Sequence, residues 1–366
     1  MITDTSALNN FEGSQTNSLN SLSPYIGRLR SQCARHLISE YAVEGQRIYD
    51  PFCGSGTVLL EGWANGFNVI GNDLNKYAHL LSLGKTHPYP SENLALNSLN
   101  VYNEVVTERL NEVKLPQIPE WVEEFYHPET LKEILVWVSI LSKNNEWFLL
   151  SCLMGILHHQ RPGFLSYPAS HGTPYLRKSK YPQEIYPEMY EYRDVFSRLS
   201  AKVKRSYKNI PSLDYSLDRE VYCSDAVDID LKYKRIATII TSPPYMKALT
   251  YARDNRLRLW FLGVNNWKDL DKKISPSKNN FISMMSTCVN KWSSFQKKGD
   301  KCIIVIGDVT IEYQQRPIEL ADLILQMAEK KYNLYDKYYD PIPSSKKQIK
   351  ANTSIKRETI IVLERR

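Results

Sequence analysis

The chain has 366 residues, of which 42% are hydrophobic and 24% are charged, and its formal net charge is +7. These values are ordinary for a globular protein, and the length allows one large domain or a core with an insertion. No stretch approaches the roughly 18 to 20 uninterrupted apolar residues that span a bilayer. The first 22 residues lack the basic start and apolar segment of an export signal. The composition therefore excludes a membrane-spanning protein and predicts a cytoplasmic one.

Metal and disulfide sites are also disfavoured. The six cysteines are scattered without a C-x-x-C pair, so neither a zinc site nor a disulfide framework is expected. We expect buried, reduced thiols, with Cys53 as a small packing residue. The pair His158-His159 has no third ligand at metal spacing, so no metal is predicted.

Residues 1–22 are rich in Asn and Ser and contain no Lys or Arg, which predicts a flexible tail. The first segment after residue 23 has a helical pattern. Its apolar positions recur at helical spacing before the first strand: Cys33, Leu37, Ile38 and Tyr41.

The segment from residue 49 to 62 reads YDPFCGSGTVLLEG. An apolar run ends at Asp50, glycines follow at 54 and 56, and a helical pattern begins at Thr57. This order predicts a strand, a tight turn and a helix, and open parallel sheets bind their ligands at such turns. Gly54 and Gly56 would let a ligand approach the backbone. No Gly-Lys-Ser/Thr follows, and Leu59 replaces the third glycine of the dinucleotide fingerprint, so both of those phosphate-binding sites are disfavoured.

The next apolar segment, residues 67–73, ends at Asp73, about 20 residues beyond the glycine turn. A carboxylate at the end of a second strand can accept hydrogen bonds from both ribose hydroxyls of a nucleoside. Asp73 could instead cap the helix predicted from Lys76 to Gly84. The series of strand, glycine turn, helix, strand and acid favours ribose binding.

From residue 86 to about 219 the alternation of strand and helix patterns that is typical of a parallel sheet is absent. Periodicity predicts helices near residues 99–113, 131–138 and 147–157, followed by a proline-rich loop to about residue 186. Between His158 and Lys208, ten Lys or Arg stand against four Asp or Glu, with seven Tyr interleaved. Such a surface suits a polyanion, although a solvated loop has the same composition. The candidate substrate-binding side chains here are Arg161, Tyr175, Arg177, Lys178 and Lys180.

Strand patterns resume at residues 220–225, ending at Asp225, and at 236–240. The second is followed by Thr241-Ser242-Pro243-Pro244-Tyr245. Two successive prolines fix a turn and withhold backbone donors, which leaves the Ser242 hydroxyl and the Pro243 carbonyl as hydrogen-bond acceptors.

The remaining segments complete the predicted sheet. Tyr251, Arg253 and Arg256 form a second candidate substrate surface, or simply an exposed helix face. Strands are predicted over 302–307 and 359–363, with a helix beginning at Pro317 between them and a basic loop over 340–350.

The strings Asp50-Pro51-Phe52-Cys53-Gly54-Ser55-Gly56-Thr57 and Thr241-Ser242-Pro243-Pro244-Tyr245 resemble the cofactor and catalytic motifs of the S-adenosylmethionine-dependent amino-methyltransferases, which methylate exocyclic amines of nucleic-acid bases. The resemblance covers residues 23–85 and 220–366. It implies a Rossmann-like class I methyltransferase fold: a mostly parallel seven-stranded sheet with helices on both faces. The helical and basic insertion, 86–219, is a candidate DNA-recognition region, but the common arrangements of the family place that region elsewhere.

The resemblance also implies residue roles. S-adenosylmethionine would be the cofactor, with Tyr25 and Gly27 at its methionine end and Asp225 at its adenine amine. A helix packing on the sheet and a turn-forming Asp are the respective alternatives. The remaining implied cofactor contacts are Asp50, Pro51, Phe52, Gly54, Gly56, Thr57 and Asp73.

For catalysis, the resemblance implies that Ser242 and Pro243 accept the amine hydrogens and that Pro244 fixes the turn, while Tyr245 stacks on the base. Because the target amine is inaccessible inside a duplex, the enzyme must flip the base out or act on single strands. In the family the Ser form of the motif is associated mostly with cytosine-N4 and the Asp form with adenine-N6.

The sequence therefore predicts a site-specific DNA methyltransferase of a restriction-modification system, with cytosine-N4 favoured and a cognate restriction endonuclease as a candidate partner. An adenine-N6 enzyme, an RNA base methyltransferase and an inactive nucleic-acid-binding protein are the alternatives.

Overall fold

The structure is a computed structural model that describes residues 17–112, 117–244, 250–341 and 357–366. Three predicted features lie wholly or mostly outside these residues. They are the first part of the amino-terminal tail, Tyr245 of the catalytic motif, and most of the basic loop predicted over 340–350.

Seven strands form one sheet in the order β3-β2-β1-β4-β5-β9-β8. The first five are parallel, whereas β9 runs antiparallel to both β5 and β8. The predicted fold, a mostly parallel seven-stranded sheet, is confirmed. The nine strands of the described residues are β1 Arg47–Asp50, β2 Asn68–Asn72, β3 Arg219–Tyr222, β4 Ile236–Thr241, β5 Lys301–Gly307, β6 Thr310–Tyr313, β7 Arg316–Glu319, β8 Tyr332–Pro341 and β9 Arg357–Arg365.

Helices cover both faces of this sheet. The thirteen α-helices of the described residues are α1 Ser31–Tyr41, α2 Thr57–Ala64, α3 Lys76–Thr86, α4 Glu92–Glu112, α5 Glu120–Glu123, α6 Pro128–Lys143, α7 Trp147–Ile156, α8 Val195–Ser206, α9 Tyr251–Asp254, α10 Arg256–Phe261, α11 Trp267–Ile274, α12 Lys278–Phe295 and α13 Leu320–Ala328. None of the helices in these ranges has the length and apolar character needed to cross a bilayer.

The core has two layers because successive side chains of a strand point to opposite faces. In β1, Ile48 joins a hydrophobic cluster with α1, α2 and α3, whereas Tyr49 joins a second cluster with α12 and α13. Both faces are therefore buried, as is usual for parallel sheets. The sheet order reverses between β1 and β4, which opens a crevice at their carboxyl ends.

The insertion packs directly on the first of these layers. Its helices α4, α6, α7 and α8 share the hydrophobic cluster of α3, and the Ser151 hydroxyl of α7 donates to the Leu80 carbonyl of α3 at 3.1 Å. Gly84 permits this close crossing, because a Cβ at that position would collide with Ser151. The insertion thus packs on helix α3 of the sheet domain, and its role in recognition stays a prediction.

Several predictions about elements were wrong or incomplete. Pro317 does not start a helix: it lies in β7, opposite Glu312 of β6, and the helix begins at Leu320. A two-stranded ribbon tolerates proline because no neighbouring strand needs its missing N–H. Helix α8 and strand β8 were not predicted. Cys223 is exposed, whereas the other five cysteines are buried as expected.

Candidate active site

The glycine turn after β1 requires left-handed backbone. Gly54 has φ 51° and Gly56 has φ 72°, a region that residues with a Cβ rarely adopt. A Cβ on Gly56 would also lie 2.8 Å from the Ser82 Cα of helix α3. The Ser82 hydroxyl donates to the Gly54 carbonyl at 3.1 Å. The turn is therefore seated against α3 and exposes its backbone toward the crevice.

Asp73 closes the other side of this turn. Its Oδ2 accepts a hydrogen bond from the Gly54 N–H at 2.9 Å, and its Oδ1 accepts one from Asn75 N–H at 2.8 Å. The cap of helix α3 is Asn75, whose side chain accepts from Tyr77 N–H, so the alternative role predicted for Asp73 as the cap is not seen. Each carboxylate oxygen retains a further lone-pair direction for a ligand hydroxyl. Burial raises the pKa of Asp73 to about 6.

The two sequence motifs meet at the ends of adjacent strands. The Thr241 hydroxyl at the end of β4 donates to Asp50 Oδ1 at the end of β1, at 2.7 Å, and Phe52 N–H donates to the same oxygen at 3.2 Å. Asp50 is only 3% exposed, and its burial raises the pKa of the carboxyl to about 7. A direct hydrogen bond thus joins the residue that opens the first motif to the residue that precedes Ser242.

A cavity of about 720 Å³ lies at these strand ends, and we call it the first cavity. Gly54 of one motif and Ser242 of the other both line it. Nine of the candidate site residues are brought together here: Tyr25, Gly27, Phe52, Gly54, Asp73, Asp225, Ser242, Pro244 and Tyr251.

Other candidates from the motifs lie behind the cavity wall. Asp50, Pro51, Gly56 and Thr57 are buried and do not line the first cavity within the described part of the chain. They lie in the turn and in the strand and helix that flank it, and their contact with the cofactor stays a prediction. Pro243 also does not line the cavity, although its neighbours on both sides do.

Helices α11 and α12 contribute cavity residues that sequence reasoning missed. Lys272 and Lys273 of α11 line the first cavity, and so do Asn280, Ser283 and Thr287 of α12. The last three recur at positions i, i+3 and i+7 on the exposed face of α12, a spacing that any amphipathic helix shows, so the sequence alone does not mark them as cavity residues.

Tyr25 separates the first cavity from a neighbouring one. Its ring stacks on Tyr251 with centroids 6.4 Å apart and planes inclined by 24°, and it lies 6.0 Å from the ring of Tyr77. Burial, reinforced by Asp73, raises the pKa of Tyr25 far above its usual value, so the phenol stays neutral.

The second cavity has a volume of about 1110 Å³ and shares Tyr25 with the first. Three candidate substrate-binding residues line it: Arg161, Tyr175 and Arg253. Tyr251 lines the first cavity, and the remaining four lie elsewhere. Lys178 pairs with Glu124 at 3.9 Å, Arg177 and Lys180 approach the ring of Tyr181, and Arg256 donates to the Pro174 carbonyl. Across the described ranges, no group of three or more His, Cys, Asp or Glu side chains could hold a metal ion.

One family model matches the amino-terminal part of the chain. Residues 24–112 match the family UPF0020, described as an RMKL-like methyltransferase domain. This match spans β1, the glycine turn, β2 and Asp73.

Two curated proteins share short stretches with the chain. The Type II methyltransferase M.MvaI of Kocuria varians is 41% identical over 59 residues, 16% of this chain and 13% of that protein. The Type II methyltransferase M.MjaII of Methanocaldococcus jannaschii is 29% identical over 92 residues, 25% of this chain and 17% of that protein. The similarity therefore covers a small part of each relative's length.

Solved structures show only distant likeness. TrmN from Thermus thermophilus has a TM-score of 0.36 at 10% identity, with 95% of this chain and 52% of that chain covered. The rRNA methyltransferase aviRa from Streptomyces viridochromogenes has a TM-score of 0.32 at 10% identity, with 99% and 93% covered. The glycopeptide N-methyltransferase MtfA complexed with S-adenosyl-L-methionine has a TM-score of 0.33 at 8% identity, with 91% and 86% covered.

The matched methyltransferase domain and the two Type II relatives support the resemblance of this chain to the S-adenosylmethionine-dependent DNA methyltransferases, with S-adenosylmethionine as the cofactor.

Proposed function

We propose that this protein transfers a methyl group from S-adenosylmethionine to an exocyclic amine of a DNA base, with the N4 amine of cytosine as the favoured target. The observation that carries the proposal is the first cavity, which Gly54 and Ser242 line together. A methyl donor held at the first motif would therefore face a base held at the second.

The residues around this cavity fit the cofactor. A volume of about 720 Å³ lies within the roughly 300–1000 Å³ of small-molecule sites. The Asp73 carboxylate is suited to the ribose hydroxyls, and Asp225, on the loop after β3, is suited to the adenine amine. Tyr25 and Gly27 line the same cavity and are proposed to enclose the methionine end.

The chain's own residues would orient the acceptor amine. Bound S-adenosylmethionine would supply a methyl group carried on a sulfonium, and the C–S electron pair would stay on sulfur as the amine nitrogen takes the methyl group. The Ser242 hydroxyl, which lines the cavity, and the Pro243 carbonyl, which does not, are the proposed acceptors of the amine hydrogens and would orient the amine lone pair. The surplus proton leaves the nitrogen to water.

Serine at position 242 supports cytosine over adenine, because the Ser form of the resembled motif is associated mostly with cytosine-N4. The names of the two curated relatives, both Type II methyltransferases, support DNA as the substrate and a restriction-modification system as the setting. A flipped-out base is required, since the amine of a paired base cannot reach the cavity. A cognate restriction endonuclease is the corresponding candidate partner.

The test is methylation with labelled S-adenosylmethionine and duplex DNA, followed by mass spectrometry of the nucleosides. We expect N4-methylcytosine, and Ser242→Ala should lower the rate about 10- to 1000-fold while cofactor affinity is kept. Ser179→Ala, on an exposed loop away from both cavities, is the matched control.

Three outcomes would point elsewhere. N6-methyladenine would identify the adenine alternative, and label found only in tRNA or rRNA would identify an RNA enzyme. Cofactor binding without transfer to any acceptor would leave an inactive nucleic-acid-binding protein.

A further inference from the structure

We propose that the second cavity binds the unpaired polynucleotide strand beside the target base, and that Arg28, Arg161, Lys202, Arg205 and Arg253 hold its phosphates. This inference rests on the proposed function and adds to it the path of the substrate. It also gives the insertion a defined role, which the family resemblance left open.

The second cavity lies next to the first. Tyr25 lines both cavities, and the consecutive residues Thr250 and Tyr251 line the second and the first respectively. Among the described residues, the Tyr25 and Tyr251 rings therefore lie between a strand in the second cavity and Ser242 in the first.

The second cavity has an excess of positive charge. Five cationic side chains and one carboxylate, that of Asp254, line the second cavity. Asp254 is already engaged, because it accepts hydrogen bonds from the Thr173 and Thr250 hydroxyls and lies 3.6 Å from Arg253. The other four cations form no ion pair with a carboxylate of the described residues. An excess of cations without carboxylate partners suits an anionic ligand.

Two of these cations are already fixed in place. Arg28 Nη1 donates to the Asn20 carbonyl at 2.6 Å, and Lys202 Nζ donates to the Ser21 carbonyl at 2.7 Å. Burial lowers the pKa of Lys202, so a phosphate beside it would offset the cost of keeping its charge. Arg28 and Lys202 are thus positioned by the backbone, whereas Arg161, Arg205 and Arg253 are exposed to an incoming ligand.

The second cavity also favours an unpaired strand. Its volume is about 1110 Å³, and a base that passes from it to Ser242 must already be out of the duplex stack. Tyr175 lines the same cavity and is 51% exposed, and an exposed aromatic ring is a stacking platform for unpaired bases.

Three separate parts of the chain supply these cations. Arg28 precedes helix α1, Arg161 and the α8 residues Lys202 and Arg205 belong to the insertion, and Arg253 lies on α9. The insertion would thus form one wall of the polynucleotide site and supply three of its five phosphate-binding side chains.

The test uses the full chain and fluorescence anisotropy of labelled single-stranded DNA at several salt concentrations. The double variant Lys202→Gln/Arg205→Gln should bind the strand about tenfold or more weakly, and the slope of log affinity against log salt should fall by about 1.4, since each lost phosphate contact on a single strand accounts for roughly 0.7. S-adenosylmethionine affinity, measured by calorimetry, should stay within about twofold.

The matched control is Arg109→Gln/Lys298→Gln, which removes two exposed cations that line neither cavity. It should leave the slope unchanged. The charge-reversal variant Arg205→Glu, with its folding checked by thermal melting, should weaken strand binding further than Arg205→Gln.

Several results would overturn the proposal. Equal slope changes in the cavity and control pairs would show non-specific charge attraction, and loss of cofactor affinity alone would make the second cavity part of the cofactor site. If the protein bound single-stranded RNA tenfold more tightly than single-stranded DNA, the occupant of the second cavity would be RNA. A wild-type protein that binds the strand with the expected slope but methylates no base would support this inference and defeat the proposed function.

Discussion

The Asn72 side chain exchanges two hydrogen bonds with the Ser224 backbone: its Nδ2 donates to the Ser224 carbonyl at 3.0 Å, and its Oδ1 accepts from the Ser224 N–H at 3.1 Å. Nδ2 also donates to the Pro51 carbonyl at 3.3 Å. Asn72, the last residue of β2, is 1% exposed. One buried amide therefore ties the loop after β1, which carries Phe52, to the loop after β3, which carries Asp225.

Replacing this amide should loosen both loops. We expect Asn72→Ala to lower the free energy of unfolding by about 1–3 kcal/mol, because it leaves buried backbone groups unpaired, and to weaken S-adenosylmethionine binding as well. Chemical denaturation and calorimetry measure the two effects. Asn144→Ala, which removes an exposed amide bonded to the Ile140 carbonyl, should do neither. Unchanged cofactor affinity in Asn72→Ala would show that the tie is not needed for the site.

The buried carboxyl of Asp50 should make stability depend on pH, and the hydrogen bond from Thr241 should reduce that dependence. Burial raises the pKa of Asp50 to about 7, above the ordinary value near 3.9 in an unfolded chain. The folded state therefore binds more protons, and this carboxyl lowers stability progressively as pH rises from about 4 to about 7. Removing the Thr241 hydroxyl should destabilise the folded state more when Asp50 is ionised than when it is protonated.

We accordingly expect Thr241→Val to destabilise the protein by about 1–3 kcal/mol at pH 8 and by less at pH 6, as measured by urea denaturation. Thr238→Val on the same strand is the matched control, because its hydroxyl donates to the Tyr41 carbonyl at 3.2 Å and no titrating group is involved. Its cost should be equal at both pH values. A Thr241→Val penalty that did not grow with pH would contradict the pairing.

The sequence predicted the half of the site that is encoded locally. The glycine turn, its flanking strand and helix, and Asp73 follow one another within about 25 residues, and each has a turn or capping chemistry that can be recognised. Lys272 and Ser283 could not be found this way, because they reach the cavity only through the packing of α11 and α12 on the sheet.

The wrong helix at Pro317 and the missed strand β8 also depend on pairing that the local sequence does not encode. Pro317 has the fixed φ that suits a first helical turn as well as an extended strand, and only its pairing with β6 decides between them. Strand β8 carries the exposed Leu334 and Tyr335 and a register shift between Leu334 and Asp336, so it lacks the alternation of a half-buried strand.

Gly56 offers a direct test of the turn. An alanine there would adopt φ near 72° and place its Cβ 2.8 Å from the Ser82 backbone. Gly45 is the matched control, with φ 71° and no atom within 4 Å of an added Cβ. Gly45→Ala should cost about 1–2 kcal/mol from left-handed strain alone. Gly56→Ala should cost clearly more in thermal unfolding and should weaken cofactor binding, and equal costs would mean that helix α3 does not hold the turn.

Asp73 should make cofactor binding depend on pH. Burial raises its pKa to about 6, so at pH 5 the carboxyl of the free protein is mostly protonated. Ribose hydroxyls donate hydrogen bonds, and the ionised carboxylate accepts them more strongly than the neutral acid does. Binding therefore favours loss of this proton, and the affinity for S-adenosylmethionine should rise from pH 5 to pH 7, by up to about tenfold per pH unit below the pKa.

Calorimetry in two buffers with different ionisation enthalpies measures this linkage at pH 6 as protons released on binding. Asp73→Asn should bind more weakly and show little pH dependence across this range. Asp50→Asn is the informative control, because Asp50 also titrates with a raised pKa but lies behind the cavity wall, and it should keep the wild-type rise. A flat wild-type profile between pH 5 and pH 7, or a rise that survives in Asp73→Asn, would exclude Asp73 as the carboxylate that binds the ribose.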